Sequence, residues 1–115
     1  RSGRREKIEA SNFGDEVPAH QDASFIYTEP NSVHGLWFAL QDATIDNGCL
    51  WAIPGGHKQK LKSRFIENNG ACNFEIYDDS PFRDENFTPL EAKKGDVIFL
   101  HGLLPHKSFK NTSNF

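Results

Sequence analysis

The feature that most limits this chain is its rhythm: apolar runs of four or five residues, each cut short by Gly, Pro, Asn or Asp. Such runs are too short for amphipathic helices and are rich in Phe, Ile, Val and Trp, so they read as β-strands joined by turns. Ser24-Phe25-Ile26-Tyr27 stops at the breaker cluster Glu29-Pro30-Asn31-Ser32. Leu36-Trp37-Phe38-Ala39-Leu40 follows, and Asp46-Asn47-Gly48 supplies residues that tolerate positive φ ahead of Cys49-Leu50-Trp51-Ala52-Ile53. This pattern predicts a β-hairpin from Leu36 to Ile53. Residues 58–86 are more polar and are expected to wander as a long loop with one short strand at Phe74-Glu75-Ile76-Tyr77. Lys94-Gly95-Asp96 is a turn that launches Val97-Ile98-Phe99-Leu100-His101, and another short strand is expected between Leu103 and Phe109. Many short strands with such turns point to an all-β sandwich or barrel.

A chain of 115 residues is enough for one domain and too short for two. Ten phenylalanines and two tryptophans can supply its core. There is no methionine, and the chain opens on the charged run Arg1-Ser2-Gly3-Arg4-Arg5-Glu6-Lys7, so it reads as a piece of a longer protein. The first dozen residues differ from the rest and are expected to be a frayed helix, a loop or a segment outside the fold. A net charge of -3 gives no basic footprint for nucleic acid. No apolar run approaches the roughly 20 residues that span a bilayer, so no membrane partner is expected. Cys49 and Cys72 fit no CxxC or zinc spacing, which argues against a disulfide framework and for a reducing, intracellular compartment. Nothing in the sequence sets an oligomeric state.

His20-Gln21-Asp22 is the sharpest chemical feature. On a strand, residues two apart project from one face, so an imidazole and a carboxylate converge on one point. A second histidine from a distant strand would complete the two-His, one-carboxylate triad of non-haem iron(II) oxygenases, which leaves one face open to a co-substrate and oxygen. In isolation an HxD pattern is weak, and a plain surface pair is its commoner meaning. His34, beside Gly35, reads as an exposed loop residue, and His57, after Pro54-Gly55-Gly56, as a turn residue with a structural or solvent-facing role. His101 and His106 are equally good candidates for the third ligand on these grounds. The serines lie in no GxSxG context, the cysteines read as buried structural thiols, and Gly55-Gly56 lacks the spacing of a nucleotide fingerprint. Asp78-Asp79 and Asp84-Glu85 read as solvated loop charges, and Trp37 and Trp51 serve a core as readily as a cofactor.

Three blocks carry a wider resemblance. They are the run from His20-Gln21-Asp22-Ala23-Ser24-Phe25 to Pro30, then Asp46-Asn47-Gly48-Cys49-Leu50-Trp51 to Pro54-Gly55-Gly56-His57, then Lys94-Gly95-Asp96-Val97-Ile98-Phe99 to His106-Lys107-Ser108. In content and order they resemble the phytanoyl-CoA dioxygenase family, over most of the chain from about Glu16 onward. The resemblance implies a double-stranded β-helix, the cupin-type jelly roll, here as an incomplete barrel. It selects His106 over His101, giving His20, Asp22 and His106 as ligands of Fe(II), and it places Trp37 and Ser108 beside the 2-oxoglutarate pocket. The implied reaction consumes O2, decarboxylates 2-oxoglutarate to succinate and hydroxylates a small organic or acyl-CoA-like substrate. An aspartate at position 22 argues for hydroxylation, since related halogenases replace that carboxylate with a small residue to admit a halide. The family pattern runs past Phe115 to a co-substrate-binding arginine and begins upstream with a strand and lysine that residues 1–13 match poorly. A metal-binding or sensing module without turnover is the alternative expectation.

Overall fold

Strands dominate the computed structural model, which describes residues 15–113; the expectation for the first dozen residues falls outside that range. The described strands are β1 (Val17–His20), β2 (His34–Phe38), β3 (Leu50–Ala52), β4 (Ser63–Asn68), β5 (Ala71–Ile76), β6 (Thr88–Leu90), β7 (Val97–His101) and β8 (His106–Ser108). Single 3-10 turns at Asp22–Ser24, Gly56–Lys58 and Asp84–Asn86 are the helical segments among the described residues. No helix among them is long and apolar enough to cross a membrane.

The strands form three antiparallel sheets. A four-stranded sheet runs β1-β8-β3-β6, a two-stranded sheet pairs β2 with β7, and β4 pairs with β5 as a hairpin. β8 is central: it pairs His106 with His20 of β1 on one side and with Ala52 of β3 on the other. Directly opposed residues on antiparallel strands have Cβ atoms about 5 Å apart on one face, so this register sets the two imidazoles side by side. The β2–β7 pair aligns His34 with His101 and Phe38 with Val97. Ala39, Ala43, Cys49 and Ala92 form a small buried cluster against which Trp37, Trp51 and Ile98 pack. The opposite face of the β2–β7 sheet, with Leu36, Phe38, Val97 and Phe99, is exposed, and the sheets do not close into a barrel.

The Asp46-Asn47-Gly48 bend exists, but not as the tip of a hairpin. Thr44 N–H donates to Asn47 Oδ1 at 2.7 Å, Asn47 Nδ2 donates to the Asp42 carbonyl at 2.7 Å, and Ala43 bridges to Ala92. These ties carry the chain from one sheet into another, so β2 pairs with β7 while β3 pairs with β6 and β8. The long polar loop is also corrected: its expected strand is β5, and it has a partner in β4. Asn69 and Gly70, with φ of 55° and 83°, make the two-residue reversal whose twist suits a hairpin. Ser24-Phe25-Ile26-Tyr27 is not a strand, because the Asp22 carbonyl accepts the Phe25 and Ile26 N–H groups at 3.0 Å each and curls the chain. Cys49 is buried as expected, and burial followed by the Glu91 carboxylate raises its thiol pKa; Cys72, on β5, is exposed instead.

Candidate metal centre

His20, Asp22 and His106 come together at the junction of β1, β8 and the 3-10 turn that follows β1. The strand ends at His20, so the pair does not sit on one continuous strand as expected. Gln21 nevertheless keeps an extended backbone (φ -110°, ψ 130°), and alternation there returns Asp22 to the side of His20. Asp22 Oδ1 lies 3.2 Å from His20 Nε2 and 3.4 Å from His106 Nε2, and one ligand atom from each residue falls within 4.8 Å of the others. The two imidazole centroids are 4.4 Å apart. First-row metal bonds of about 2.0–2.2 Å to nitrogen and oxygen set neighbouring ligands about 3 Å apart, so this spacing fits a shared ion.

The proton positions also fit. His20 Nδ1 donates to the Pro18 carbonyl at 2.8 Å, and His106 Nδ1 donates to the Leu104 carbonyl at 3.0 Å. A carbonyl can only accept, so each neutral ring carries its proton on Nδ1 and presents a bare Nε2 lone pair toward Asp22. A backbone carbonyl on the remote nitrogen is the usual outer partner of a metal-bound histidine. His101 has the reverse arrangement. Its Nδ1 accepts the Leu103 N–H at 3.1 Å, which places the neutral ring's proton on Nε2 and removes the lone pair a metal would need. Its ring packs instead against His34 and His57, with centroids 5.5 and 5.4 Å away. Burial first, and then the neighbouring imidazoles of His57 and His34, hold His101 below the ordinary histidine pKa.

The approach to His106 is a fully tied turn. Gly102 N–H donates to Val33 O and Gly102 O accepts from Ala23 N–H, both at 2.9 Å. Leu103 N–H goes to His101 and Leu103 O accepts Gln21 Nε2 at 3.0 Å. Leu104 N–H donates to His101 O at 2.9 Å, Leu104 O takes His106 Nδ1–H, and Pro105 O accepts Ile53 N–H at 3.2 Å. Every backbone donor and acceptor from Gly102 to Pro105 is therefore used. Gln21, read from sequence only as the spacer between two ligands, is 2% exposed. Besides Leu103 O it donates to Lys60 O at 3.2 Å and accepts Lys62 N–H at 3.0 Å. Only its position between the two candidate ligands could have flagged it.

The other expected residues are placed less closely. Ser108 lies two residues beyond His106 on β8 and shares its face. Trp37 shares a face of β2 with Gly35, whose Cβ position would lie 3.5 Å from Asp22 Oδ2, and its indole packs on the alanine-rich cluster. Lys107 points to the other side of β8. Its ammonium bonds Asp84 Oδ1 at 2.7 Å and sits over the rings of Phe87 and Phe109, so Asp84 is a paired charge and not merely a solvated one.

Comparison with known proteins identifies the family and the fold. Residues 7–115 match the family described as phytanoyl-CoA dioxygenase (PhyH). "Phytanoyl-CoA dioxygenase 1" of Oryza sativa subsp. japonica is 52% identical over 102 residues, which is 88% of this chain and 36% of that protein. "Phytanoyl-CoA dioxygenase domain-containing protein 1" of Mus musculus is 41% identical over 107 residues, 90% of this chain and 37% of that one. The chain thus spans a little over a third of the length of these relatives. Among solved structures, the epimerase SnoN in complex with Fe3+, alpha ketoglutarate and nogalamycin RO is similar at a TM-score of 0.65 and 18% identity, over 95% of this chain and 41% of that one. That likeness establishes the fold as part of a jelly roll, open here as expected. With the family match covering nearly all of its sequence, the chain belongs to the phytanoyl-CoA dioxygenase family.

Proposed function

We propose that this chain carries the metal centre of an iron(II)- and 2-oxoglutarate-dependent dioxygenase, with His20, Asp22 and His106 as the ligands. The observation that carries the reading is the convergence of two bare Nε2 lone pairs on one carboxylate oxygen. Two nitrogens and one oxygen from a single side are the donor set of the facial triad, which suits ferrous iron and leaves the far side to small molecules. Iron held by these residues, with 2-oxoglutarate bound, would supply the oxidising chemistry that uses O2 to couple the splitting of 2-oxoglutarate into succinate and carbon dioxide to the conversion of a substrate C–H into C–OH.

The chain's own residues do the holding. The Pro18 and Leu104 carbonyls fix the tautomer and aim of both imidazoles, and Asp22 brings the single negative charge of the set. Ser108 offers a hydroxyl on the face of His106, and Trp37 offers an aromatic wall on the side of β2 that approaches Asp22; we assign both to the co-substrate side. Lys107 is not assigned there, because Asp84 and two phenyl rings hold it on the opposite face. The substrate is proposed as a small organic or acyl-CoA-like molecule, and the aspartate at position 22 favours hydroxylation over halide transfer. The chain is read as one portion of a single such domain.

The test is anaerobic addition of Fe(II) and 2-oxoglutarate to the full-length protein, followed by oxygen. A weak visible charge-transfer band and then succinate are expected. Iron-loaded protein that forms no succinate, with or without candidate substrates, would replace this reading with a metal-binding module lacking turnover.

A further inference from the structure

We infer that His101 and Gln21 are positioning residues that clamp Leu103 from both sides and so set where His106 presents its Nε2; this rests on the metal-centre reading above. Four of the turn's backbone groups, at Gly102, Leu104 N–H and Pro105 O, bond to other backbone groups, and Leu104 O takes the His106 ring itself. Leu103 is different. Both its N–H and its C=O are held by side chains, His101 Nδ1 at 3.1 Å and Gln21 Nε2 at 3.0 Å. The next carbonyl along, that of Leu104, fixes the His106 ring. Rotating the Leu103 peptide units would therefore re-aim the carbonyl that selects the His106 tautomer.

The two side chains connect opposite ends of the site. Gln21 lies between two ligands in sequence, and its extended backbone turns its own side chain away from theirs. Its amide is fully used, with two donors to Lys60 O and Leu103 O and its oxygen accepting from Lys62. Reorienting it would break bonds to segments 39 to 82 residues away in sequence. His101 can hold Leu103 only while its Nδ1 is an acceptor, which is the state that disqualifies it as a ligand. The two histidines that sequence left as rivals thus take complementary parts, one presenting a lone pair to the metal and the other spending its lone pair on the turn.

The atom-specific requirement gives the test. In the full-length protein, His101→Asn places an acceptor oxygen near the position of Nδ1, whereas His101→Gln places its polar end near Nε2. Two quantities are read: the exchange rate of the Leu103 amide proton in metal-free protein, and the Fe(II) dissociation constant under anaerobic conditions. His101→Asn is expected to keep the amide protected and iron affinity near wild type. His101→Gln is expected to speed exchange and weaken iron by about 10-fold, the scale seen when an outer partner of a metal site is lost. Gln21→Leu, which fills similar space without donors, is expected to weaken iron to a similar degree. The clamp is overturned if His101→Gln matches wild type in both readouts, or if His101→Asn is as impaired as His101→Gln. Wild-type protein that binds no iron would overturn the metal-centre reading, while the amide exchange comparison would still decide the clamp.

Discussion

The turn from Gly102 to Pro105 and the β4–β5 hairpin are both short, and their hydrogen bonds run differently. The turn bonds four residues distant in sequence, Val33, Ala23, Gln21 and Ile53, besides its local bonds to His101 and His106. The hairpin pairs within itself, from Ser63 with Ile76 to Asn68 with Ala71, and every residue of β5 is exposed. Phe65 packs on Phe74 across the ladder with ring centroids 5.2 Å apart, and both rings also meet Phe25, at 6.1 and 6.0 Å. The difference separates two kinds of order. Bonds to distant segments fix the turn relative to the rest of the fold, which a metal site needs. The hairpin's hydrogen-bond ladder is local, and its mid-ladder tie to the rest of the fold is side-chain packing of Phe65 and Phe74 on Phe25. Changes at the turn should therefore reach the metal, and changes at the hairpin tip should not.

The largest effect belongs to the ligands themselves. His106→Ala removes a nitrogen that its Leu104 bond pre-aims, and iron affinity should fall by more than the roughly 10- to 100-fold typical of losing an outer partner. Titration with Fe(II) checks this, and a variant that kept full affinity would reopen the case for His101. Gly102→Ala comes next. A Cβ there would meet Val33 Cγ1 and lie 2.7 Å from Val33 O, and the second of these is backbone that cannot swing aside. Overpacking of this kind costs about 1–3 kcal/mol, and it should lower both the melting temperature and the iron affinity because the strained residue heads the turn. A variant that melted early yet bound iron normally would break the link between turn and metal.

Much of this arrangement was legible in the sequence, and the illegible part has a consistent cause. Val97–His101 and the strand at His106 were readable because their apolar runs sit between clear turn residues. The hairpin from Leu36 to Ile53 was not a hairpin, because Asp46-Asn47-Gly48 dictates a local bend and says nothing about which distant edge each strand will meet. The partner of β2 is β7, some sixty residues away, and such pairing leaves no local periodicity. β4 was missed because Arg64 and Glu67 flank Phe65 and Ile66, so the strand lacks an alternating apolar face. The choice between His101 and His106 turned on which ring nitrogen meets a carbonyl and which meets an N–H. Only the turn's three-dimensional path decides that, whereas the family resemblance proposes His106 without the reason.

A smaller effect should appear in acid. His101 titrates below the ordinary histidine value because it is partly buried and faces the imidazoles of His57 and His34. In the unfolded chain it takes up a proton at the ordinary value of about 6.5, so between the two values the unfolded state binds more protons. Its contribution to stability is then complete above about pH 6.5 and is lost as pH falls through the lower, folded value. Melting temperature followed from pH 8 to 5 should hold steady and then decline, and His101→Asn should flatten part of that decline. An identical profile for the two proteins would mean that His101 is not the group responsible.

The smallest effect is expected at the hairpin tip, where the contrast is tested from its other side. Gly70 has φ of 83°, so Gly70→Ala is strained, by about 1–2 kcal/mol for an L-residue in the left-handed region. Its Cβ would meet nothing within 4 Å, so the strain is confined to the backbone of the reversal. The rungs nearest the tip, Asn68 with Ala71 and Glu67 with Cys72, should open first. The hairpin meets the site at its base, where Lys60 O and Lys62 N–H bond Gln21, and at mid-ladder, where Phe65 and Phe74 pack on Phe25, the neighbour of His20. Fraying would have to pass the Phe65–Phe74 rung before it loosened the Phe25 contact, and unzip the whole ladder before it loosened that amide. Hydrogen exchange should therefore quicken at Glu67 through Ala71 while the Fe(II) dissociation constant stays at the wild-type value. If iron binding weakened as much as in His101→Gln, the hairpin would be part of the metal site's support, and the division between locally held and distantly held order would fail.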